Sequence, residues 1–313
     1  MVNGDRLFTR RKAAQLCAGS GMGLFMPQLA LAQGAGPLLA KPIPHGHGET
    51  LPAVGVGTSG VFDVGGSAED RAGPMAVIKA LVAGGGTLID TAPSYGEAET
   101  VTGDILAETG LRPRVFIATK LEEYRPGRLA AEARESLKRL RTAKLDLLQL
   151  HNVSDPNQSL GELNGLKGQG ICRYTGITTT FGGAYDAAEA IIKREKPDFL
   201  EIDYAIDNRD VERRILPAAR DAGTAVIVAL PFGRGSLFRR ALGKKLPDWA
   251  AEFDCKSWAQ FFLKFLLGNP AVTAAIPGTN NPAHMADNLG AARGRMPDAA
   301  MRARMARYAE SLG

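Results

Sequence analysis

From about residue 50 onward, short apolar runs rich in β-branched residues alternate with stretches of helical period. No other feature of the chain restricts its fold so much. The strand-like runs fall at 52–56, 87–90, 115–119, 145–150, 174–178, 199–202, 225–229 and 274–276. Helical stretches follow at 72–83, 97–108, 128–140, 184–194, 211–221, 256–267 and 282–292, with a shorter one at 160–167. Eight strand–helix pairs in unbroken succession predict an α/β fold, a (β/α)8 TIM barrel. A doubly wound sheet would need fewer strands and a glycine fingerprint after the first, and Val-Gly-Val-Gly-Thr at 54–58 is not G-x-G-x-x-G. Residues 41–50 read as a hairpin closing the barrel floor, and the amphipathic segment 298–311 as an extra helix outside the barrel. His45 and His47 alternate on that glycine-rich turn and read as exposed side chains rather than metal ligands.

The chain has 313 residues, 45% of them hydrophobic, enough for one sizeable core or two small ones. It contains no run of 18 apolar residues, so no stable membrane span is expected. The formal charge of +5 does not describe a basic face. Residues 1–32 hold Arg6, Arg10, Arg11 and Lys12 against Asp5; removing these from totals of 38 and 33 leaves 34 basic and 32 acidic residues, a net +2. Nucleic acid is therefore not an expected partner.

Those first 32 residues have the order of a secretory signal: Phe-Thr-Arg-Arg-Lys at 8–12, a mildly apolar Gly/Ala-rich stretch at 13–29, and the small-x-small site Ala30-Leu31-Ala32. The paired arginines resemble a twin-arginine (Tat) signal, although Ala13 stands where an aromatic is usual. The expected organisation is a signal peptide at 1–32 and a barrel at 33–313, exported through the twin-arginine machinery to the periplasm with cleavage after Ala32. Such a signal passes folded proteins, so a cofactor could be loaded before export. Cys17 lacks the flanks of a lipid-anchor site. The mature chain would keep Cys172 and Cys255, expected as two buried free thiols rather than a disulfide.

In a barrel of this kind, reactive side chains gather at the carboxyl ends of the strands. Asp90, Lys120 and His151 end the second, third and fourth strand-like runs, and Tyr95 follows the second in Leu-Ile-Asp-Thr-Ala-Pro-Ser-Tyr-Gly. Reducing a carbonyl requires a hydride at carbon and a proton at oxygen. A free tyrosine, with a pKa of about 10, is a reluctant donor, and a nearby lysine cation is expected to lower that value by about 1–3 units. Asp90 would hold the lysine and offset the burial of its charge. His151 would donate to the carbonyl oxygen and orient it. Each residue alone has a bland reading: a turn residue, a surface lysine, a strand-end histidine, a loop anchor. Their joint placement favours the catalytic one.

On these residues the chain resembles the aldo-keto reductases. The likeness runs from about residue 51 to 292. It includes Gly-Gly-Thr-Leu-Ile-Asp-Thr-Ala-Pro-Ser-Tyr-Gly, the Thr-Lys after the third strand, Leu-Asp-Leu-Leu-Gln-Leu-His, Gly-Ile-Cys-Arg-Tyr-Thr-Gly-Ile-Thr and Ala-Ile-Pro-Gly-Thr-Asn-Asn-Pro-Ala-His-Met-Ala-Asp-Asn-Leu. The resemblance implies that Asp90, Tyr95, Lys120 and His151 are the family's tetrad, with Tyr95 as general acid, NADPH as hydride source and a small carbonyl compound as substrate.

It also implies a set of cofactor contacts, with departures. Gly57 and Thr58 follow the first strand. Thr178 and Thr179 take the places of a serine–asparagine pair that usually holds the nicotinamide amide. Glu201 replaces a glutamine and, if ionised, can only accept. Ala-Leu-Pro-Phe at 229–232, with Pro231, stands where a stacking tyrosine is common. Gly233, Arg234 and Gly235 suit a pyrophosphate cradle. At the 2′-phosphate end, Gly278 and Thr279 replace a lysine–serine pair, and His284 falls where arginine is frequent. Thr279, Asn288 and the helix start after Pro282 can still receive an anion, but without Lys or Arg the match to a doubly charged phosphate is poor. NADP(H) is the expected cofactor and NAD(H) the alternative, including a tightly held NAD(H) recycled between two substrates. Ser59, in place of an aromatic wall, and no long flap after the last helix point to an open mouth suited to small polar aldehydes, ketones or sugars. The competing reading is an exported barrel that has lost useful cofactor affinity and serves as a periplasmic ligand-binding or interaction protein.

Overall fold

A computed structural model of the chain describes residues 36–122, 127–155 and 157–312. The predicted signal segment at 1–32 lies outside the described residues.

Among the described residues the strands are β1 Ala40–Pro42, β2 Thr50–Pro52, β3 Val56–Gly57, β4 Leu88–Asp90, β5 Phe116–Glu122, β6 Leu145–His151, β7 Cys172–Thr179, β8 Phe199–Asp203, β9 Ala225–Ala229 and β10 Ala274–Ala275. The helices are α1 Ala72–Ala83, α2 Ala98–Thr109, α3 Leu129–Arg139, α4 Gly161–Gly168, α5 Tyr185–Glu195, α6 Ile215–Ala222, α7 Ser236–Ala241, α8 Trp258–Leu267, α9 Pro282–Gly290 and α10 Ala299–Glu310. Strands β3 to β10 form one sheet in sequence order, every neighbour parallel. Parallel bridges Val54–Ala275 and Gly57–Gly278 join its two edges, so the sheet closes into the predicted barrel. Closure removes the free edges that an open sheet would leave.

The interior explains why so few polar residues suffice to build a site. Alternate strand residues point inward. Nearest the amino-terminal end these are Leu88, Phe116, Leu147, Tyr174 and Phe199, packed with Ile43 and Leu51 of the β1–β2 hairpin. The Phe116, Tyr174 and Phe199 rings lie 5.5–6.1 Å apart. Burial of each such side chain stabilises by about 1.5–3 kcal/mol, which offsets the cost of a charged layer above. Glu49 of the hairpin accepts from the Tyr174 hydroxyl at 2.7 Å and pairs with Arg173. The hairpin thus plugs the floor, as its sequence predicts. One step further along the strands the inward residues become Asp90, Lys120, Gln149 and Glu201. Gly176 leaves room among them, because a Cβ there would stand 2.8 Å from the Phe199 carbonyl oxygen and 3.2 Å from Gln149 Cγ.

Two departures from expectation matter for the site. The run at 52–56 yields only the two-residue β3, because β2 is spent on the hairpin. The β9–α8 connection contains α7 and two short 3-10 turns that the sequence pattern does not announce. Helix α10 packs outside as predicted, with Arg302 donating to Phe265 O at 2.8 Å and pairing with Glu212 at 2.6 Å. Cys172 and Cys255 are buried free thiols. Among the described residues no helix is long and apolar enough to cross a membrane, and no cluster of His, Cys, Asp and Glu has metal-binding geometry.

Candidate active site

Asp90 ends β4, Lys120 lies near the end of β5 and His151 ends β6, so strand parity and length bring all three to one end of the barrel. Lys120 Nζ donates to both Asp90 oxygens, at 2.6 and 2.7 Å, and to Thr91 O at 3.1 Å. It also lies 3.3 Å from Glu201 Oε2, which accepts from Gln149 Nε2 at 2.9 Å. Lys120 is 1% exposed, and Asp90 and Glu201 are 2% exposed. This is a fully buried ionic cluster, stable only because its partners are mutually satisfied.

Tyr95 covers the cluster. Lys120 Nζ sits 5.1 Å from the Tyr95 ring centroid, and the His151 ring meets that of Tyr95 edge-on at 5.9 Å and 80°. The following Gly96 has φ +59, and a Cβ there would stand 2.2 Å from Asp63 Oδ1. Only glycine fits this turn, and Asp63 uses the space to accept from Glu97 N at 3.0 Å. His151 Nδ1 faces Ser94 Oγ at 3.5 Å and Glu122 Oε1 at 3.7 Å.

The electrostatics correct one expectation. Burial pushes the Tyr95 phenol up to about 12; Lys120 pulls it down, but Asp90 and Glu201 push it up again. Tyr95 therefore holds its proton more firmly than free tyrosine, because burial outweighs the pull of a lysine that also faces two carboxylates. Burial works against the Lys120 ammonium, yet Asp90, Glu201 and Tyr95 hold its pKa above the ordinary lysine value. Burial, and then Glu201, push Asp90 upward against the pull of Lys120. Burial and then Lys120 lower His151, against Glu201 and Glu122, which favours the neutral imidazole with its one N–H to donate.

A cavity of about 690 Å³ opens above the cluster, well within the size of small-molecule sites. Asp90, Glu201, Tyr95 and His151 line its inner end, and Arg234 and Phe238 its rim. The predicted cofactor residues divide here. Gly57, Glu201, Pro231, Arg234, Gly235 and Gly278 line the cavity, and Gly233 lines an adjoining one. Thr178 and Thr179 are buried behind it; Thr178 Oγ1 accepts from Asn152 N at 2.9 Å, and Thr179 Oγ1 lies 3.5 Å from Phe181 O. The wall they were expected to form is made by Asn152 and Thr180. Thr58 is also fully buried, while its neighbour Ser59 lines the cavity.

The Gly233–Gly235 turn is a cradle only in part. Gly233 N and Gly235 N already donate to Leu230 O and Phe232 O, at 3.0 and 2.9 Å, so the exposed Arg234 side chain is its main anion-binding group. Thr279, His284 and Asn288 do not line the cavity; beyond its Gly278 edge, Thr279 Oγ1 meets His284 Nδ1 at 3.4 Å and accepts from Asn281 N at 3.1 Å, Asn281 caps α9, and Asn288 is buried within that helix. These residues fit a dinucleotide: an open cavity of about 690 Å³ lined by Gly57, Gly235 and Gly278, the Arg234 guanidinium, and a capped helix start a few residues beyond Gly278.

Sequence reasoning missed four participants. Gln149 precedes His151 by two residues and Glu122 follows Lys120 by two, so strand parity already put both on the inward face. Phe232 and Phe238 supply the aromatic wall absent at Ser59, their rings 4.7 Å apart; they sit on the unannounced β9–α8 connection.

Comparison with known proteins gives a consistent picture. The sequence model of the Aldo/keto reductase family matches residues 53–304. The aldo-keto reductase str7 of Strobilurus tenacellus is 28% identical over 277 residues, covering 76% of this chain and 80% of that one. The aldo-keto reductase ausK of Emericella nidulans is 27% identical over 314 residues, covering 84% and 77%. Among solved structures, an aldo-keto reductase from Klebsiella pneumoniae in complex with NADPH superposes with a TM-score of 0.71 at 24% identity, over 87% of this chain and 95% of that one.

Proposed function

The chain belongs to the aldo/keto reductase family, and on that premise we propose that it reduces a small aldehyde or ketone to the alcohol, with Tyr95 as the proton donor. The observation that carries this reading is the buried Lys120–Asp90 pair beneath the Tyr95 ring, at the inner end of an open cavity. NADP(H), the nucleotide bound by the Klebsiella protein, is the proposed cofactor; when bound it supplies the hydride. Arg234 would meet its phosphates, Gly57, Gly235 and Gly278 would let its backbone-facing parts approach closely, and Thr279 with the α9 start would receive the adenosine end. No Lys or Arg stands at 278, 279 or 284, so NAD(H) is the competitor to measure against it.

The chain's own residues then do the following. The substrate oxygen sits between the Tyr95 hydroxyl and the His151 N–H. His151 orients it. Tyr95 delivers its proton as negative charge grows on that oxygen, and the Lys120 ammonium stabilises the resulting phenolate. Asp90 fixes Lys120 in place. A phenol held near 12 stays protonated throughout the ordinary pH range, which suits reduction. Phe232 and Phe238 add an apolar side to a mouth that Ser59 keeps wide.

Replacing Tyr95 by Phe removes the donor and keeps the ring. Turnover of a panel of small aldehydes and ketones with NADPH should fall by at least about 100-fold. Near-wild-type rates on every active substrate would refute the assignment.

The export reading is part of the same proposal: residues 1–32 act as a twin-arginine signal and 33–313 as the mature periplasmic barrel. Its support is the Arg10-Arg11 pair and the Ala30-Leu31-Ala32 site. In a host with the machinery, Arg10→Lys with Arg11→Lys should leave the protein uncleaved in the cytoplasm. A mature amino terminus other than Gln33 would correct the boundary.

A further inference from the structure

The inner end of the cavity holds two carboxylates and one ammonium. Lys120 Nζ stands 2.6 Å from Asp90 and 3.3 Å from Glu201. The other contact of Glu201 Oε2 is the neutral Gln149 amide. Buried charges are normally matched by opposite ones, yet Glu201 shares a cation that Asp90 already holds at both oxygens. Among the described residues, the remaining groups facing this cluster bring no positive charge. Tyr95 is a phenol that burial keeps protonated, burial and Lys120 disfavour the imidazolium of His151, and Glu122 beside His151 adds another acidic side chain. Arg234 lies at the exposed rim. With both carboxylates ionised, the described groups at the reacting end of the cavity are one positive charge short, and the upward push that burial and Glu201 exert on Asp90 answers the same shortage with a proton.

We propose that Glu201 makes this pocket select the oxidised, cationic nicotinamide over the reduced, neutral one, and thereby biases the enzyme toward carbonyl reduction. The inference rests on the reductase reading. Hydride transfer needs the reacting atoms within about 3–3.5 Å of each other, and the oxygen that Tyr95 protonates is bonded to the carbon that receives the hydride. The ring must then occupy the same inner end that Asp90 and Glu201 line. A cationic ring there completes the charge balance; a neutral one does not. A proton shared between the two carboxylates would be displaced by the cation, and the preference keeps its sign.

The size follows from the separation. A unit charge several ångströms from a buried carboxylate, at an effective dielectric of about 20, is worth at least about tenfold in affinity. Tenfold tighter binding of the oxidised form lowers the bound cofactor's two-electron potential by about 30 mV, making it a stronger hydride donor.

The test is binding, not turnover. Dissociation constants of NADP+ and NADPH would be measured on the wild type and on Glu201→Gln, which keeps the side chain's shape, with Glu201→Asp as the charge-preserving control. The wild type should bind NADP+ about tenfold more tightly than NADPH. Glu201→Gln should abolish most of that ratio, and Glu201→Asp should retain it. An unchanged ratio in Glu201→Gln overturns the inference while leaving the reductase reading intact. A wild type that prefers NADPH overturns it without any variant, so the result does not hang on the variant folding. A wild type that binds neither form below millimolar concentration removes the reductase reading, and this inference with it.

Discussion

Two lysines in this molecule are buried to the same degree and have opposite characters. Lys120 sits at the mouth of the barrel with two carboxylates, and its ammonium is held more firmly than in water. Lys264 sits in α8, on the outside of the barrel, with no exposed surface; its Nζ donates to Arg293 O at 2.6 Å and Arg295 O at 3.0 Å. Burial lowers that amine to about 8, and the weaker pulls of nearby Cys255 and Asp254 do not restore it. A neutral amine still has two N–H groups, enough for two carbonyls. Burial alone therefore does not decide what a lysine becomes. Carboxylate partners make it a permanent cation able to stabilise a phenolate, and carbonyl partners make it a titratable strut between α8 and the segment after α9.

The sharpest way to break this contrast is to remove each amine in turn. Lys120→Met should lower kcat/KM for carbonyl reduction by about 10²–10⁴-fold, because Tyr95 loses the charge that stabilises its conjugate base. Steady-state kinetics on any active substrate would show it. Lys264→Met should leave turnover within about twofold but cost about 1–3 kcal/mol of stability, since two backbone acceptors lose their donor; denaturant unfolding measures that. Equal loss of activity in both variants would mean that Lys120 supports the fold rather than the reaction.

The sequence reveals one of these lysines and hides the other. Lys120 ends an apolar run, in phase with Asp90 and His151 on neighbouring runs, so period two and the rule that barrel sites lie at strand ends are enough to find it. Lys264 stands inside Phe-Phe-Leu-Lys-Phe-Leu-Leu, where helical period reports only a buried helix. Its partners are carbonyls about 30 residues away, and no side-chain pattern encodes them. Glu201 lies between these cases. Its strand is legible, but its contact with Lys120 requires β8 and β5 to face each other across a closed interior. The same limit applies to the Tyr95 phenol. The sign of each neighbour's influence can be read from residue type, whereas the burial that outweighs them comes only from three-dimensional packing. Thr178 and Thr179 show the local version: one residue of parity and one backbone hydrogen bond move the wall to Asn152 and Thr180.

The smallest expected effect is the most specific to the pair of lysines. Lys264 titrates near 8 in the folded chain and near its ordinary value of about 10.4 in the unfolded one. Below pH 8 both states hold the proton and the penalty is constant. Between those values the unfolded chain binds a proton that the folded chain has released, so stability rises with pH, by at most about 1.4 kcal/mol per pH unit. Lys41, which donates to Leu267 O, Asn269 O and Val272 O and is also lowered to about 8, adds a slope of the same sign. The buried thiols Cys172 and Cys255, raised to about 12 and about 11, add the opposite slope above the ordinary thiol range. The total curve is therefore mixed, and the difference between wild type and Lys264→Met reports that amine in the range below about 11, where the neighbouring Cys255 keeps its proton. Unfolding midpoints at about pH 7.5, 8.5 and 9.5 should show that gap widening in favour of the wild type. Lys120 contributes no slope in this window: its raised value means that its stabilisation is complete below the unfolded lysine value and fades only above it. A gap that stays constant with pH would mean that Lys264 keeps its proton, and the two lysines would then differ in location but not in kind.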